Sequence, residues 1–250
     1  MDGKKLADAV RRALPPRYCS AVIVAAGSAT RMGGIDKVMA ELGGEPMIVR
    51  TVRAFQQCAA IREIVIVTRE DLIRRITGLC VGVDKVRAVI AGGDSRAASV
   101  RRGLNALSEE TELAAVHDGA RPLVTPELID RVVRAADHYG AAIPVIPVKD
   151  TIKAAPKGLV LATPDRSKLV AAQTPQIFDF DLLRGAMQKA EETGAAGIAV
   201  GMGAAIASGA SIGLTGLAVA SGFFVTSGAA VASGAQVVSV TRLSSGVAVG

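Results

Sequence analysis

From residue 19 to about residue 193, the sequence alternates short apolar runs with longer amphipathic segments. The apolar runs are Cys19–Ala26, Glu63–Val67, Val86–Ala91, Leu113–Val116 and Ala141–Ile146. The helical patterns lie near residues 46–58, 69–78, 96–107, 125–138 and 179–192. Strands and helices that alternate in this way predict an α/β fold with a doubly wound, mostly parallel sheet. A chain of 250 residues is long enough for one such domain with an appendage.

Loops at one edge of this sheet are the first candidates for a functional site. In an open parallel sheet, ligands bind beyond the carboxyl ends of the strands. The loops that begin at Gly27, Gly92 and His117 follow predicted strands and should meet at that edge. The segment 147–172 breaks the alternation, which predicts a β-hairpin arm that covers a site or grips a partner subunit.

The two ends of the chain differ from this central domain, 19–193. Residues 1–18 form a basic extension, predicted as a short amphipathic helix ended by Pro15-Pro16, without the apolar core of a signal peptide. Residues 194–250 are a tail rich in Gly, Ala, Ser and Val, in which Arg242 is the only charged residue. Three interpretations of the tail stay open: a membrane segment, a flexible low-complexity tail, or a stretch that is not naturally selected sequence. Its many Gly and Ser residues and its lack of basic or aromatic flanks argue against a membrane segment.

Charge and cysteine content narrow the class of partner. A net charge of +6 is compatible with nucleic acid, a membrane surface or a phosphorylated small molecule. The basic residues are dispersed and only 3% of residues are aromatic, so few side chains can stack on nucleic-acid bases. A small anion is therefore favoured as the ligand. Cys19, Cys58 and Cys80 have no metal-ligand spacing, which predicts reduced, buried thiols in a cytoplasmic protein.

The loop after the first strand reads VAAGSATRMGGIDK and resembles a phosphate-binding turn. It matches neither the Walker A pattern nor the dinucleotide-binding glycine pattern. The small residues Ala25, Ala26 and Gly27 let backbone N–H groups approach an anion, and Arg31 and Lys37 add two cations of different geometry. The pattern predicts a triphosphate site, against the alternative of a glycine-rich connection with two solvated cations.

The loop after the third strand reads AGGDSRAASVRRGL. Its glycines, including Gly93, permit a flat ring or a ribose to approach, and Asp94 and Ser99 offer hydrogen bonds to base or sugar. The alternative is an N-capped helix with Asp94 or Ser95 as the cap. Both interpretations hold together, because the N-terminus of a capped helix is itself an anion site.

The loop after the fourth strand contains an acidic residue, Asp118, at the carboxyl-end edge of the predicted sheet. Asp118 beside a triphosphate would support Mg²⁺ directly or through water, and the alternative is an Asp118–Arg121 pair that only holds the loop in place. His117 is predicted to pack at the strand end rather than to act as a base. In and after the arm, the hydroxyls of Thr151 and Thr174 with Arg166 would suit a phosphomonoester.

Five motifs in order carry a resemblance to a known family. They are AAGSATRMGGIDKVMAELGGEPMI, GGDSRAASVRRGL, HDGARPLV, AAIPVIPVKDTIK and DRSKLVAAQTPQIF, over roughly residues 19–192. In this order they resemble the 2-C-methyl-D-erythritol 4-phosphate cytidylyltransferase family, which has a Rossmann-like nucleotidyltransferase fold. The resemblance implies that CTP and methylerythritol phosphate react with Mg²⁺ to give the CDP-alcohol and pyrophosphate, in the non-mevalonate isoprenoid pathway.

The resemblance also implies a role for each motif. Arg31 and Lys37 match the residues that stabilise the transition state, and Arg166 matches the residue that positions the attacking phosphate. The residues that match the CTP site are Ala25, Ala26, Gly27, Gly93, Asp94, Ser99 and Asp118, with Asp118 also as a minor magnesium ligand beside the nucleotide phosphates. The residues that match the substrate-phosphate site are Thr151, Arg166 and Thr174, which the arm would contribute across a homodimer.

The tail departs from the family pattern. The family ends with an N-x-K-x-T motif whose lysine positions the substrate phosphate, but this chain has no lysine after Lys189 and no recognisable final strand. Two alternatives therefore accompany the family reaction. One is a CTP-binding protein with impaired catalysis, and the other is a cytidylyltransferase for another polyol phosphate, such as ribitol 5-phosphate.

Overall fold

The computed structural model describes residues 16–27 and 36–192, together with the backbone of residues 223–226 and 236–242. The predictions for the N-terminal helix, for Arg31 and for most of the tail therefore lie outside the described residues.

Strands supply the centre of the fold. They are β1 (Cys19–Ala25), β2 (Glu41–Leu42), β3 (Glu45–Pro46), β4 (Ile61–Thr68), β5 (Val86–Ala91), β6 (Leu113–Asp118), β7 (Ala141–Pro147), β8 (Val170–Ala172), β9 (Gln176–Asp179), β10 (Phe223–Thr226) and β11 (Gln236–Arg242). The α-helices are α1 (Met47–Gln57), α2 (Ile73–Leu79), α3 (Arg96–Asn105), α4 (Pro126–Tyr139) and α5 (Phe180–Glu192).

Nine strands form one sheet in the order β10-β11-β7-β9-β6-β1-β4-β5, with β8 paired to β7. The neighbours β6, β1, β4 and β5 are parallel, while β9 is antiparallel to both β6 and β7. This arrangement confirms the predicted α/β class with a mostly parallel sheet. The short strands β2 and β3 form a separate hairpin.

The two faces of β1 show why the sheet is doubly wound. Ala21 and Ile23 point into a core that also contains buried residues of α1, α2 and α4. Val22 points to the opposite side, into a second core with buried residues of α3 and α5. Because both faces of the strand are covered, its sequence is continuously apolar rather than alternating.

Several boundaries differ from the sequence-based expectation. The helix predicted near residues 69–78 begins as a 3₁₀ turn at Glu70–Leu72 and continues as α2. The strand β9 was not predicted, because four residues are too few to show a period, and its extended form depends on pairing with β6 and β7 on its two sides. The tail supplies a strand that no sequence pattern indicated: the backbone of β11 pairs with β7.

The predicted arm is an excursion from the end of β7 that closes back on the same strand. Val145 of β7 lies opposite Ala172 of β8, and one antiparallel bridge joins Ala154 to Ala162 within the excursion. Near its tip the apolar side chains of Leu159 and Leu161 are 68% and 63% exposed. An apolar tip of this kind is unusual on a free surface.

Two further expectations concern the cysteines and the membrane. Cys19, Cys58 and Cys80 are free thiols and all three are buried, as predicted. Burial raises the pKa of each thiol, so all three are protonated at neutral pH. Among the helices that the structure describes, none combines the length and apolar character needed to cross a bilayer.

A glycine in α3 provides a test of how closely this helix packs on the sheet. A Cβ atom at Gly103 would lie 2.3 Å from Cγ1 of Val22 and 2.9 Å from Cγ2 of Val67. We expect Gly103→Ala to lower the free energy of unfolding by about 1–3 kcal/mol, because the helix must shift away from the sheet. The midpoint of urea unfolding measures this change.

Gly185 in α5 is the matched control. Among the residues that the structure describes, no atom lies within 4 Å of the position that its Cβ would take. Gly185→Ala should raise the free energy of unfolding by about 0.5–1 kcal/mol, because alanine is the better helix former. Equal effects of the two substitutions would contradict the close packing of α3.

Candidate active site

The carboxyl ends of four parallel strands lie side by side at one edge of the sheet. The register pairs Ala25 of β1 with Thr68 of β4, and Thr68 with Ala91 of β5. On the other side of β1, Val24 pairs with Asp118 of β6. The three loops selected from the sequence therefore start at neighbouring points, as expected of a doubly wound sheet.

Small residues bring the first two loops into contact. A Cβ atom at Gly92 would lie 2.4 Å from the Cβ of Ala26 and 2.8 Å from Oγ of Ser99, and one at Gly93 would lie 2.5 Å from the Cβ of Ala98. These glycines are thus required for packing of the loop against its neighbours. Gly27, in contrast, is exposed, and no atom of the described residues lies within 4 Å of its Cβ position, so its backbone is accessible from the described part of the chain.

Ser99 and Gly93, both predicted CTP-site residues, are joined directly. The Gly93 N–H donates to Oγ of Ser99 at 3.1 Å, and the Ser99 side chain is buried. Ser95 is the N-cap of α3, because its Oγ accepts the Ala98 N–H at 3.0 Å. Asp94 lies between Gly93 and Ser95, and its side chain is exposed. Ser99 therefore shapes the loop, and Asp94 is the charged side chain that this loop presents to solvent.

Asp118 is held between two arginines. Its Oδ1 lies 2.8 Å from Nη2 of Arg96, the first residue of α3, and its Oδ2 lies 3.0 Å from Nε of Arg121. Burial raises the pKa of Asp118, but the hydrogen bonds and charges of the two arginines outweigh burial and leave the pKa below its usual range. The Asp118–Arg121 pair anticipated from the sequence is thus present. Arg96 was not expected as a partner, although its place at the start of the helix after a strand end was a usable signal.

The contacts of Asp118 affect its ability to bind magnesium. Both carboxylate oxygens of Asp118 already accept from guanidinium groups. The described ranges contain no group of three or more His, Cys, Asp or Glu side chains that could hold a metal ion. The donor set at this edge therefore does not fit a magnesium site built from protein side chains alone.

His117 is buried beneath the same loop and packs against the ring of Phe55, with 5.0 Å between the ring centroids. Its Nε2 lies 3.2 Å from the Arg121 carbonyl oxygen, and its Nδ1 lies 2.9 Å from Oγ1 of Thr174. Because a carbonyl only accepts, we assign the hydrogen to Nε2, and the Thr174 hydroxyl then donates to Nδ1. His117 is a packed structural residue, as the sequence predicted.

The hydroxyl group of Thr174 therefore forms its hydrogen bonds inside the protein. Its hydroxyl donates to His117 and accepts the Asp118 N–H at 3.4 Å, and the residue is 8% exposed. A hydroxyl that has already given its hydrogen to an imidazole cannot also donate it to a phosphate. In this arrangement Thr174 links β6 to the segment before β9 and positions Asp118.

Lys37 lies at the same edge, in the turn that follows residues 28–35. Its side chain is exposed, and within the described part of the chain its ammonium group forms no ion pair. The turn is attached to the protein by Asp36, whose Oδ2 lies 2.7 Å from Nη1 of Arg69, the residue after β4. Neither Asp36 nor Arg69 was selected from the sequence, because their partnership joins two loops that are distant in the chain.

Two predicted phosphate-site residues lie in the arm, Thr151 and Arg166. Both are exposed, and Arg166 donates from Nη1 to the Lys149 carbonyl oxygen at 2.7 Å. Among the described residues, no hydrogen bond or ion pair connects Thr151 or Arg166 to Lys37 or Asp118. Within the described ranges, Asp118 is thus bonded to Arg96 and Arg121, and neither Thr151 nor Arg166 is bonded to this group.

Comparison with known proteins gives concordant results. The sequence model of the 2-C-methyl-D-erythritol 4-phosphate cytidylyltransferase family matches residues 19–211. A protein of that name from Rubrobacter xylanophilus is 47% identical over 174 residues, which cover 69% of this chain and 74% of the relative. One from Symbiobacterium thermophilum is 43% identical over 181 residues, covering 71% and 75%.

Solved structures agree with these relatives. The crystal structure of 4-diphosphocytidyl-2C-methyl-D-erythritol synthase from Anaerococcus prevotii has a TM-score of 0.64 at 31% identity, and covers 70% of this chain and 76% of its own. The 2-C-methyl-D-erythritol 4-phosphate cytidylyltransferase from Thermus thermophilus has a TM-score of 0.54 at 32% identity, covering 71% and 78%.

The environment of His117 predicts a dependence of stability on pH. Burial lowers the pKa of His117 from 6.5 to about 4 in the folded chain. Between these two values the unfolded chain binds a proton at this residue and the folded chain does not, so acid favours unfolding. The free energy of unfolding should fall by up to about 3 kcal/mol as the pH drops from 6.5 to 4.

Urea unfolding at a series of pH values measures this slope. His117→Gln should remove most of it, whereas the matched variant His138→Gln, at the exposed end of α4, should retain it because His117 is still present. The lowered pKa of Asp118 acts in a separate window, below its ordinary value of 3.8. An unchanged slope in His117→Gln would show that another group titrates.

Proposed function

The chain belongs to the 2-C-methyl-D-erythritol 4-phosphate cytidylyltransferase family and transfers a cytidylyl group from CTP to 2-C-methyl-D-erythritol 4-phosphate in the non-mevalonate pathway, and we propose that this reaction takes place at the strand-end edge described above. The observation that carries the location is the convergence of the first, second and third loops at the ends of β1, β5 and β6. The family match favours neither ribitol 5-phosphate as the substrate nor a protein that only binds CTP.

The proposed CTP site uses backbone at one end and polar side chains at the other. The open backbone at Gly27, after the small residues Ala25 and Ala26, would receive the triphosphate. Gly93 and the exposed carboxylate of Asp94 would receive the ribose or base, on a loop that Ser99 holds in shape. Asp118 would act by orienting Arg96 and Arg121 toward the same edge.

The proposed chemistry is an in-line displacement at the α-phosphorus of CTP. An oxygen of the substrate phosphate forms the new P–O bond, and the bond from the α-phosphorus to pyrophosphate breaks with its electron pair. No protein nucleophile is needed, so positioning and charge stabilisation supply the catalysis. Lys37 and Arg31 are the proposed stabilisers of the charge on the α-phosphate, and Arg166 is the proposed holder of the attacking phosphate.

Magnesium remains part of the proposal in a restricted form. Since Asp118 already has both oxygens paired, the cation would be bound mainly by the nucleotide phosphates. We propose a cytoplasmic location as well, which is compatible with the three reduced, buried cysteines.

We further propose that the active enzyme is a homodimer in which each arm reaches the partner's site. Two features support this. The arm has an exposed apolar tip at Leu159–Leu161, and its Arg166 has no bond to the strand-end residues of its own chain within the described residues. A partner surface would cover the tip and would also place Arg166 near a second copy of the edge.

Activity measurements test the role of Lys37. With CTP, methylerythritol phosphate and Mg²⁺, we expect Lys37→Met to lower the rate of pyrophosphate release by about 10²–10³-fold, because a cation facing the transition state is removed. Lys85→Met is the matched control: Lys85 precedes β5 at the opposite edge of the sheet, where its Nζ donates to the Cys58 carbonyl oxygen at 2.7 Å. Lys37→Met with a normal rate would contradict the assignment.

Mixing two inactive variants tests the shared site. Subunits with Lys37→Met and subunits with Arg166→Met should each be nearly inactive alone. After the subunits exchange, half of the dimers are hybrids with one intact site, so about a quarter of the wild-type activity should return. If Arg166 served the site of its own chain, no activity would return on mixing.

A further inference from the structure

The turn that carries Lys37 is attached to the protein on both sides of that residue. After it, Val38 has a buried side chain and accepts the Ile48 N–H at 3.0 Å, which ties the turn to the start of α1. Before it, Asp36 closes the turn, because its carbonyl oxygen accepts the Ala40 N–H at 2.9 Å and its Oδ1 accepts the Val38 N–H at 3.2 Å. The backbone position of Lys37 thus depends on where Asp36 and Val38 are held.

Arg69 holds Asp36 from the end of the neighbouring strand. Its Nε and Nη2 donate to the two carboxylate oxygens of Asp71 at 3.0 Å and 2.9 Å, which orients the guanidinium plane. Its Nη1 remains for Asp36, at 2.7 Å from Oδ2. This contact is an ion pair rather than a well-aligned hydrogen bond, since Oδ2 of Asp36 accepts no hydrogen bond of favourable angle from the described residues.

The ion pair is partly shielded from solvent. The side chains of Arg69 and Asp36 are 30% and 17% exposed, and Oδ2 of Asp36 itself is buried. The hydrogen bonds that Arg69 donates to Asp71 raise the pKa of Arg69, partial burial opposes this rise, and the charge of Asp36 adds to it. A shielded pair of this kind is screened less by salt than an exposed pair.

From these contacts we infer that Arg69 is a positioning residue for catalysis, which fixes the turn of Lys37 through Asp36. The inference rests on the proposed role of Lys37 in charge stabilisation. Lysine has a long flexible side chain, so its ammonium group can be placed accurately only if its backbone is fixed. A displacement of about 1 Å at a reacting group can slow catalysis by about 10²-fold.

A double-mutant cycle tests the inference. We expect Arg69→Met to lower kcat by about 10–100-fold with little change in the KM for CTP, because the effect lies in the transition state. In a Lys37→Met background the same substitution should lower kcat less than about twofold, because the residue that Arg69 positions is then absent. Asp36→Asn should reproduce the loss from the other side of the ion pair, and Arg69→Lys should restore part of the rate.

Arg53→Met is the matched control. Arg53 forms an ion pair with Glu45 at the surface of α1, so its removal deletes the same kind of side chain and pairing without touching the turn of Lys37. It should leave kcat unchanged. Thermal unfolding of every variant separates a loss of rate from a loss of folded protein, and Asp36→Asn keeps the test available if Arg69→Met does not fold.

Each outcome has a distinct meaning. If Lys37→Met alone has a normal kcat, the proposed role of Lys37 fails, and the positioning role of Arg69 fails with it. If Lys37→Met is slow but Arg69→Met has a normal kcat, only the positioning role fails. An undiminished effect of Arg69→Met in the Lys37→Met background would also overturn that role, because Arg69 would then act independently of Lys37.

Discussion

The shared register of the parallel strands β6, β1, β4 and β5 is the constraint on which the rest of this structure depends. Parallel pairing places every carboxyl end on the same side, and the pairs Val24–Asp118 and Ala25–Thr68 align those ends to within a residue. Each loop leaves the sheet at this edge. Residues that are far apart in the chain, such as Ala26, Gly92 and Asp118, are thereby brought into one small region. Without the common register, none of the loop motifs would form a site.

Electrostatics at this edge follow from the same arrangement. Asp118 is the carboxylate at the end of β6, and the two arginines that contact it come from the start of α3 and from its own loop. One carboxylate against two guanidinium groups leaves a local excess of positive charge. Such an excess suits a polyanionic nucleotide, while the carboxylate fixes the directions of the arginines. A buried, neutral His117 supports the loop from beneath without adding charge.

The ion pairs near the strand ends have two different structural roles. The pairs that involve Asp118 connect groups that face the proposed nucleotide site, whereas the pair between Arg69 and Asp36 acts on the backbone that carries Lys37. Surface ion pairs contribute little to stability in general, typically 0–1 kcal/mol. The interest of these pairs therefore lies in geometry. The Arg96–Asp118 and Arg69–Asp36 pairs each connect two segments that are distant in the chain, and the Arg121–Asp118 pair lies within one loop.

Sequence reasoning succeeded where a signal was local and long. The apolar run at Cys19–Ala26 identified β1, because a strand covered on both faces is continuously apolar. The run at Val86–Ala91 identified β5 although this strand lies at the edge of the sheet and includes the exposed Arg87. Where a residue type has two uses, the sequence pattern alone leaves open which use applies. Gly93 and Ser99 were read as ligand contacts, and the structure shows in addition that the glycine packs against Ala98 and that the serine holds the loop. Thr174 was read as a phosphate contact, but its hydroxyl is directed toward His117, a partner 57 residues away in the chain.

The sequence by itself determined the α/β class, the order of the loops and the family to which the chain belongs, because apolar periodicity and ordered motifs are local properties of the chain. Only the tertiary structure decided which side chains meet. The strand β9 exists because β6 and β7 offer it two pairing edges, and Arg69 reaches Asp36 because β4 lies beside β1. Such contacts join segments through space, and their energies depend on distances and burial that no stretch of sequence contains.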